Sequence, residues 1–321
     1  MEKPSGKQNY SSAAPTRGGL DLVVPPDCAG LRLDQALSRL MPEHSRSRLA
    51  QWVREERVSV DGRPALPRAK VWGGERLRVD PVADPQVLAH LPQDIPLSIV
   101  YEDEAVIVID KPPGLVVHPG SGNWSGTLLN ALLQHAPGLA DVPRAGIVHR
   151  LDKDTSGLLV VAKTLTAQTG LVRQLQARSV SREYAAVAHG RVARDGKVES
   201  PIGRHPVSRT RMAVVAKGKP AVTHYRVIAR YANATRLECR LETGRTHQIR
   251  VHVASIGHPL VGDPVYAGRS AKEQGPSFHR QALHAQRLGL VHPVTGRAMH
   301  WEVPLPQDMR ELLDRLQKGD E

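Results

Sequence analysis

The chain has 321 residues, enough for two domains and a sizeable core, and its hydrophobic content of 40 % is ordinary for a globular protein. Its 44 Lys and Arg outweigh 32 Asp and Glu, and the formal net charge of +12 suits a polyanionic partner, nucleic acid before an anionic membrane surface. No apolar run approaches the ~18–20 residues of a membrane span; two cysteines, Cys28 and Cys239, are too few for a disulfide framework or a Cys-based zinc site, and aromatics at 3 % are too sparse for broad base-stacking platforms.

Residues 1–18 are polar, rich in Ser, Gly and Pro, and lack the apolar core of a signal peptide. They are predicted to be a disordered tail on a cytoplasmic, reduced protein, with a monomer as the default. Residues 19–80 form the first predicted unit. Leu33, Ala36, Leu37 and Leu40 follow the spacing of an amphipathic helix that Pro42 ends. Ser45 or Ser47 can cap a second helix, in which Leu49, Trp52 and Val53 share a face. "VSVDGR" alternates into an Asp61-Gly62 hairpin turn, and "RLRVD" reads as a further strand. Arg46, Arg48, Arg54 and Arg57 crowd the second helix and its exit. They suit either a phosphate-contacting face or a solvated face balanced by Glu55 and Glu56.

Residues 81–96 carry prolines without periodicity and read as a linker to a larger domain, 97–321. There "AVIVID", "REYAAVAHG", "THYRVIARY" and "TRLECRLETG" read as strands. "TLLNALL", "TAQTGLVRQLQARSV" and "HQIRVHVASIG", the last with Ile249, His252, Val253 and Ile256 inward, read as helices. Met309, Leu312, Leu313 and Leu316 form a closing helical stripe. Strand runs broken by a few helices predict an α+β fold with a mixed, largely antiparallel sheet.

Phosphate-loop, dinucleotide, serine-hydrolase and zinc-protease signatures are absent, and His247 and His252, five apart, do not share a helical face. No metal site is expected. Carboxylates among basic residues remain. "GIVHRLDKDTSGLLVVAK" places His149, Arg150, Asp152, Lys153 and Asp154 between two predicted strand segments, a position from which a rigid sheet can aim a reactive side chain. Asp154 heads the turn-like Asp154-Thr155-Ser156-Gly157, whereas Asp152 follows the apolar Leu151. Spacing favours Asp152 only slightly.

"HRLDKDTSGLLVVAK" resembles the signature of the RluA-type pseudouridine synthases, HRLDxxTSGLLxxAK. "KPPGLVVHPG", "REYAAVAHG", "LETGRTHQIRVHVASIGHPLVGDPVYAG" and "RQALHA" resemble further family motifs in order, spanning most of 97–304. The helix–helix–VxVDG pattern of the first unit resembles the S4 RNA-binding domain. "HPGSGNWSGTLLNALLQH", "RHPVSRTRMAV" and "GKPAVTHY" look closest to the branch that modifies helix 69 of 23S rRNA in the large ribosomal subunit.

The resemblance implies isomerisation of uridine to pseudouridine without a cofactor. It implies Asp152 as the catalytic carboxylate, attacking ribose or base or assisting deprotonation at C1′, and Arg150 filling the space of the flipped base. It implies Tyr184 stacked on that base and Arg245 paired with Asp152. Residues 201–220 hold Arg204, Arg209, Arg211, Lys217 and Lys219 and no acid, and are predicted to be a flexible RNA-gripping insertion. A relative acting on tRNA or another rRNA site, or a non-catalytic ribosome-assembly protein, are the competing readings.

Overall fold

The computed structural model describes residues 19–82, 88–120, 122–268 and 276–319; the predicted tail lies outside them. The chain divides at Leu88/Ala89 into two compact units.

The first unit holds β1 (Leu20–Val23), α1 (Leu33–Leu40), α2 (Arg46–Arg54), β2 (Val58–Val60), β3 (Arg63–Pro64) and β4 (Arg76–Val79). The strands form an antiparallel sheet in the order β1-β4-β2-β3. Leu33 and Leu37 of α1 bury with Leu49, Trp52 and Val53 of α2 against Val58 and Leu77 of the sheet. Ser45 caps α2 by accepting the Arg48 N–H. Asp61 and Gly62 both take positive φ, 49° and 76°, as a two-residue hairpin turn requires.

The second unit is built on a sheet of nine described strands. These are β5 (Ile99–Glu102), β6 (Val106–Lys111), β7 (Ser156–Ala162), β8 (Ser181–His189) and β9 (Gly196–Glu199), then β12 (Val222–Arg230), β13 (Ala234–Leu241), β14 (Leu283–Val291) and β15 (Ala298–Glu302). A separate hairpin, β10 (Ile202–Arg204) and β11 (Met212–Val214), lies between β9 and β12 in sequence. The sheet order is β5-β6-β7-β14-β8-β13-β12-β9, with β15 on β14. Among the described strands β7 and β14 alone pair in parallel.

Among the described residues, four α-helices accompany the sheet: α3 (Leu128–His135), α4 (Leu165–Gln176), α5 (Gln248–Ser255) and α6 (Gln307–Lys318). The continuous apolar runs of β6 and β7 follow from burial on both faces. Ile107, Ile109, Leu159 and Val161 pack with Leu128 and Leu132 of α3. Val106, Val108, Leu158 and Val160 pack with Ala167 and Leu171 of α4. Met309, Leu312 and Leu316 of α6 close over Ala185 and Val187.

Two local expectations change. The lead-in to Asp152 is not a strand: Ile147 makes one bridge to Val161, and residues 148–155 form an irregular loop. Their backbone is held by side chains instead of a ladder. Residues 201–220 form a hairpin rather than a loop, with Ile202 and Lys219 exchanging backbone hydrogen bonds at 2.9 Å each way.

Candidate active site

The loop before β7 is fixed from several sides. The ammonium of Lys111, fully buried at the end of β6, donates to the carbonyls of Pro112, Leu115 and Lys153 at 2.8, 2.9 and 3.0 Å. Three acceptors match its three protons. Burial pushes this amine down to about 7, with Asp154 and then Asp152 opposing. Arg280 donates to the Asp154 carbonyl at 3.1 Å, and Gln281 donates to the Thr155 hydroxyl at 3.1 Å. His149 Nε2 accepts the Val160 N–H at 3.1 Å, tying the loop to β7. Asp154 and Lys153 thus offer main-chain carbonyls to the clamp, while Asp152 extends its carboxylate.

Asp152 Oδ2 accepts from Arg250 Nη1 at 3.1 Å, and His247 Nε2 lies 3.8 Å from Oδ1. Arg250, on α5, also forks onto Asp263, Nε to Oδ2 at 2.7 Å and Nη2 to Oδ1 at 3.0 Å. Asp263 is fully buried and accepts two backbone N–H groups, from Val265 and Tyr266. Burial opposes its ionisation, but the Arg250 bonds prevail and hold its carboxyl below the ordinary range. Burial likewise opposes the charge of Arg250, and its bonds to Asp263 and Asp152 outweigh that cost.

This corrects the expected partner of Asp152. Arg245 donates through Nε to the Pro220 carbonyl at 3.1 Å, and the arginine on the carboxylate is Arg250. Both arginines stand in "GRTHQIRVH". The stripe of Ile249, His252, Val253 and Ile256 predicts an amphipathic helix, but Gln248 to Val253 are all buried. A helix buried all round leaves no polar face for periodicity to find.

Asp152 lines a cavity of about 760 Å³ together with Arg150, Tyr184 and Arg245. Six arginines line it (Arg144, Arg150, Arg178, Arg182, Arg245 and Arg250) against the acids Asp152 and Glu242. Arg150 is exposed, while Tyr184 is 6 % exposed and burial raises its phenol pKa. Arg144, Arg178 and His247 are non-glycine residues at positive φ, 57°, 58° and 56°, and all three face this cavity. Such strained backbone gathers at functional sites. Sequence reading missed Arg144, Arg178, Arg182, His247 and Asp263, since nothing in local spacing joins segments so far apart in the chain.

The remaining basic residues lie elsewhere. Arg46 pairs with Asp34 at 3.1 Å, Arg48 donates to the Val82 carbonyl at 2.7 Å, Arg57 lies 3.6 Å from Glu55, and Arg54 is exposed. Arg204, Arg209, Lys217 and Lys219 are exposed on or beside the β10–β11 hairpin. Arg204 donates to the Arg209 carbonyl at 2.8 Å, stiffening the tip. Arg211 turns inward, donating to the Val265 carbonyl with its guanidinium 5.6 Å from the Tyr266 ring centroid.

A carboxylate paired with a buried arginine, in a cavity whose charge is mostly arginine, suits carboxylate chemistry on a polyanion. The RNA pseudouridylate synthase family model matches residues 105–255, and the S4 domain model matches 31–77. A ribosomal large subunit pseudouridine synthase D of Nitrosomonas europaea is 58 % identical over 302 residues, 92 % of this chain and 88 % of that protein. Its namesake from Escherichia coli K12 is 55 % identical over 305 residues, covering 92 % and 93 %. The solved structure of human RNA pseudouridylate synthase domain containing 1 superposes with a TM-score of 0.53 at 27 % identity, over 70 % of this chain and 96 % of that one. The chain belongs to the RluA-type RNA pseudouridine synthases, a family of isomerases, and carries an S4 domain ahead of the catalytic fold.

Proposed function

We infer that this enzyme isomerises uridines of 23S rRNA in the large ribosomal subunit, in the helix 69 stem-loop, and works in the cytoplasm. The observation that carries the substrate is the 58 % identity, across 92 % of this chain, to a ribosomal large subunit pseudouridine synthase D. In the reaction the N1–C1′ bond breaks, the base turns, C5 joins C1′, and the hydrogen on C5 leaves as a proton while N1 takes one up. Asp152 is the reacting carboxylate, and its 3.1 Å pairing with Arg250 supports this by holding the carboxylate at the cavity wall. The target base must leave its stack, at a cost of a few kcal/mol. Arg150, exposed beside Asp152 on the cavity wall, fills the vacated space, and Tyr184 stacks on the extruded base. Arg245, on the cavity wall, holds backbone phosphate. The S4 unit with Arg46, Arg48, Arg54 and Arg57, and the hairpin with Arg204, Arg209, Lys217 and Lys219, add phosphate contacts outside the cavity.

The test is site-resolved pseudouridine mapping of rRNA and tRNA from cells lacking the protein, complemented with wild type or Asp152→Asn. Loss of the helix 69 sites, restored by wild type and not by Asp152→Asn, is expected. Loss of a tRNA site instead overturns the substrate, and restoration by Asp152→Asn overturns the role of Asp152.

A further inference from the structure

His247 precedes α5 in the left-handed region, with φ 56°. A non-glycine residue stays there only where its surroundings hold it. Tyr266 does so: its hydroxyl lies 2.7 Å from His247 Nδ1, and the two rings meet edge to face with centroids 5.6 Å apart. The other ring nitrogen, Nε2, lies 3.8 Å from Asp152 Oδ1.

The bonds of the Tyr266 hydroxyl bear on which nitrogen carries the hydrogen. The Tyr266 hydroxyl accepts the Met212 backbone N–H at 3.0 Å, so its own proton needs an acceptor. His247 Nδ1, 2.7 Å away, is placed to take it. A neutral imidazole accepting at Nδ1 carries its hydrogen on Nε2. Burial keeps the His247 pKa below its ordinary value; Asp152 opposes this and Arg250 reinforces it, so the ring is neutral at pH 7.

We propose that His247 is a positioning residue for Asp152, its Nε2–H donating to Oδ1 while Arg250 holds Oδ2, with the Tyr266 hydroxyl setting the tautomer. This rests on Asp152 being the reacting carboxylate. A carboxylate held at one oxygen swivels about its terminal torsion, which is broad; held at both, its plane is fixed for attack or proton transfer. At 3.8 Å the two atoms lie beyond hydrogen-bond distance, and in the proposed arrangement they close on each other in the substrate complex. Met212 belongs to β11, so the bond that directs the Tyr266 proton starts from the basic hairpin. The seating of that hairpin and the orientation of Asp152 are therefore linked through two side chains.

Two measurements test this. The first is nitrogen-15 NMR of histidine-labelled full-length protein without RNA, the His247 signals being those missing from His247→Gln. The Nε2–H tautomer is expected in the wild type, and a mixture in Tyr266→Phe; an Nδ1–H tautomer in the wild type overturns the proposal. The second is pseudouridine formation on a large-subunit rRNA transcript. His247→Ala is expected to lower kcat about ten- to a hundredfold, with KM changed less than about twofold. His247→Gln, whose amide reaches the Nε2 position, is expected to recover most of that loss. Equal losses in both variants, or a loss confined to KM, overturn the proposal. Asp152→Asn is assayed alongside: full activity there removes the underlying reading of Asp152, whatever tautomer the NMR reports.

Discussion

Arg250 holds Asp152 and Asp263 at once, with donor–acceptor distances of 3.1 Å to the first and 2.7 and 3.0 Å to the second. The two carboxylates differ in burial, 14 % against 0 % side-chain exposure, and so differ in what losing the arginine does to them. Arg250→Ala leaves Asp263 buried and unpaired, an expected cost of about 3–5 kcal/mol and a Tm lower by roughly 6–20 °C. Asp152→Asn keeps a polar partner for Arg250 and loses activity with a much smaller fall in Tm. Paired melting curves and single-turnover assays separate the two. Similar Tm losses in both variants would show that the Asp263 pairing contributes little to stability.

His149 makes the stability of this loop pH-dependent. Burial, with Arg182 nearby, pushes its imidazole down to about 3, and its Nε2 accepts the Val160 N–H. In the unfolded chain a histidine takes its proton near pH 6.5. Between that value and about 3 the unfolded state binds more protons, so stability from this group is complete above 6.5 and falls as the pH drops. His149→Gln keeps an acceptor and does not titrate. Denaturant titrations at pH 7.5 and 5 should show the wild type losing about 2 kcal/mol more than the variant. Equal losses would mean that His149 titrates normally.

Gly157 shows what the signature's small residue is for. It sits in β7 with φ +108°, opposite Ala285 of β14, and an added Cβ would collide with the Ala285 backbone carbonyl and amide. Gly157→Ala should cost at least about 2–3 kcal/mol, read as a lower denaturation midpoint. A neutral substitution would mean that β7 and β14 can move apart there.

The elements most legible in the sequence are those with one wet face. Leu33, Ala36 and Leu37 give α1 its stripe, and Met309, Leu312 and Leu316 give α6 its own, because the opposite sides of both helices meet solvent. Asp152 and Arg150 were placed by motif resemblance, and they do line one cavity with Tyr184. Arg250 escaped because α5 has no wet face. The polar joint at 149–154 is a loop as its residues suggest, but the apolar lead-in at Ile147 and Val148 is not a strand, and the loop is held by carbonyl contacts to Lys111 and Arg280 that come from distant segments.

The basic hairpin separates binding from structure within one motif. Arg209 is exposed, whereas Arg211 is fastened to Val265 and Tyr266. Arg209→Glu should weaken RNA binding and flatten the salt dependence, its log–log slope falling by about one, with an unchanged Tm. Arg211→Glu should in addition lower the Tm and slow the chemical step, since it disturbs Tyr266. Binding titrations across a salt series, with melts of both variants, decide this. Unchanged RNA affinity in Arg209→Glu counts against the hairpin as a phosphate grip.

Arg150 can be tested as the occupant of the flipped base's space because its exposure frees it from a structural burden. Arg150→Ala should leave stability within about 0.5 kcal/mol. Its effect on rate should depend on RNA structure. Extruding a base from a folded stem-loop costs a few kcal/mol, and less from an unpaired strand. An arginine that takes the base's place offsets that cost, so its removal should slow the stem-loop reaction tenfold or more while an unstructured oligonucleotide of the same sequence slows far less. Single-turnover rates on the two RNAs give the ratio directly. Equal slowing on both would assign Arg150 to phosphate binding or to the chemical step, and would leave the vacated space to another side chain of the cavity.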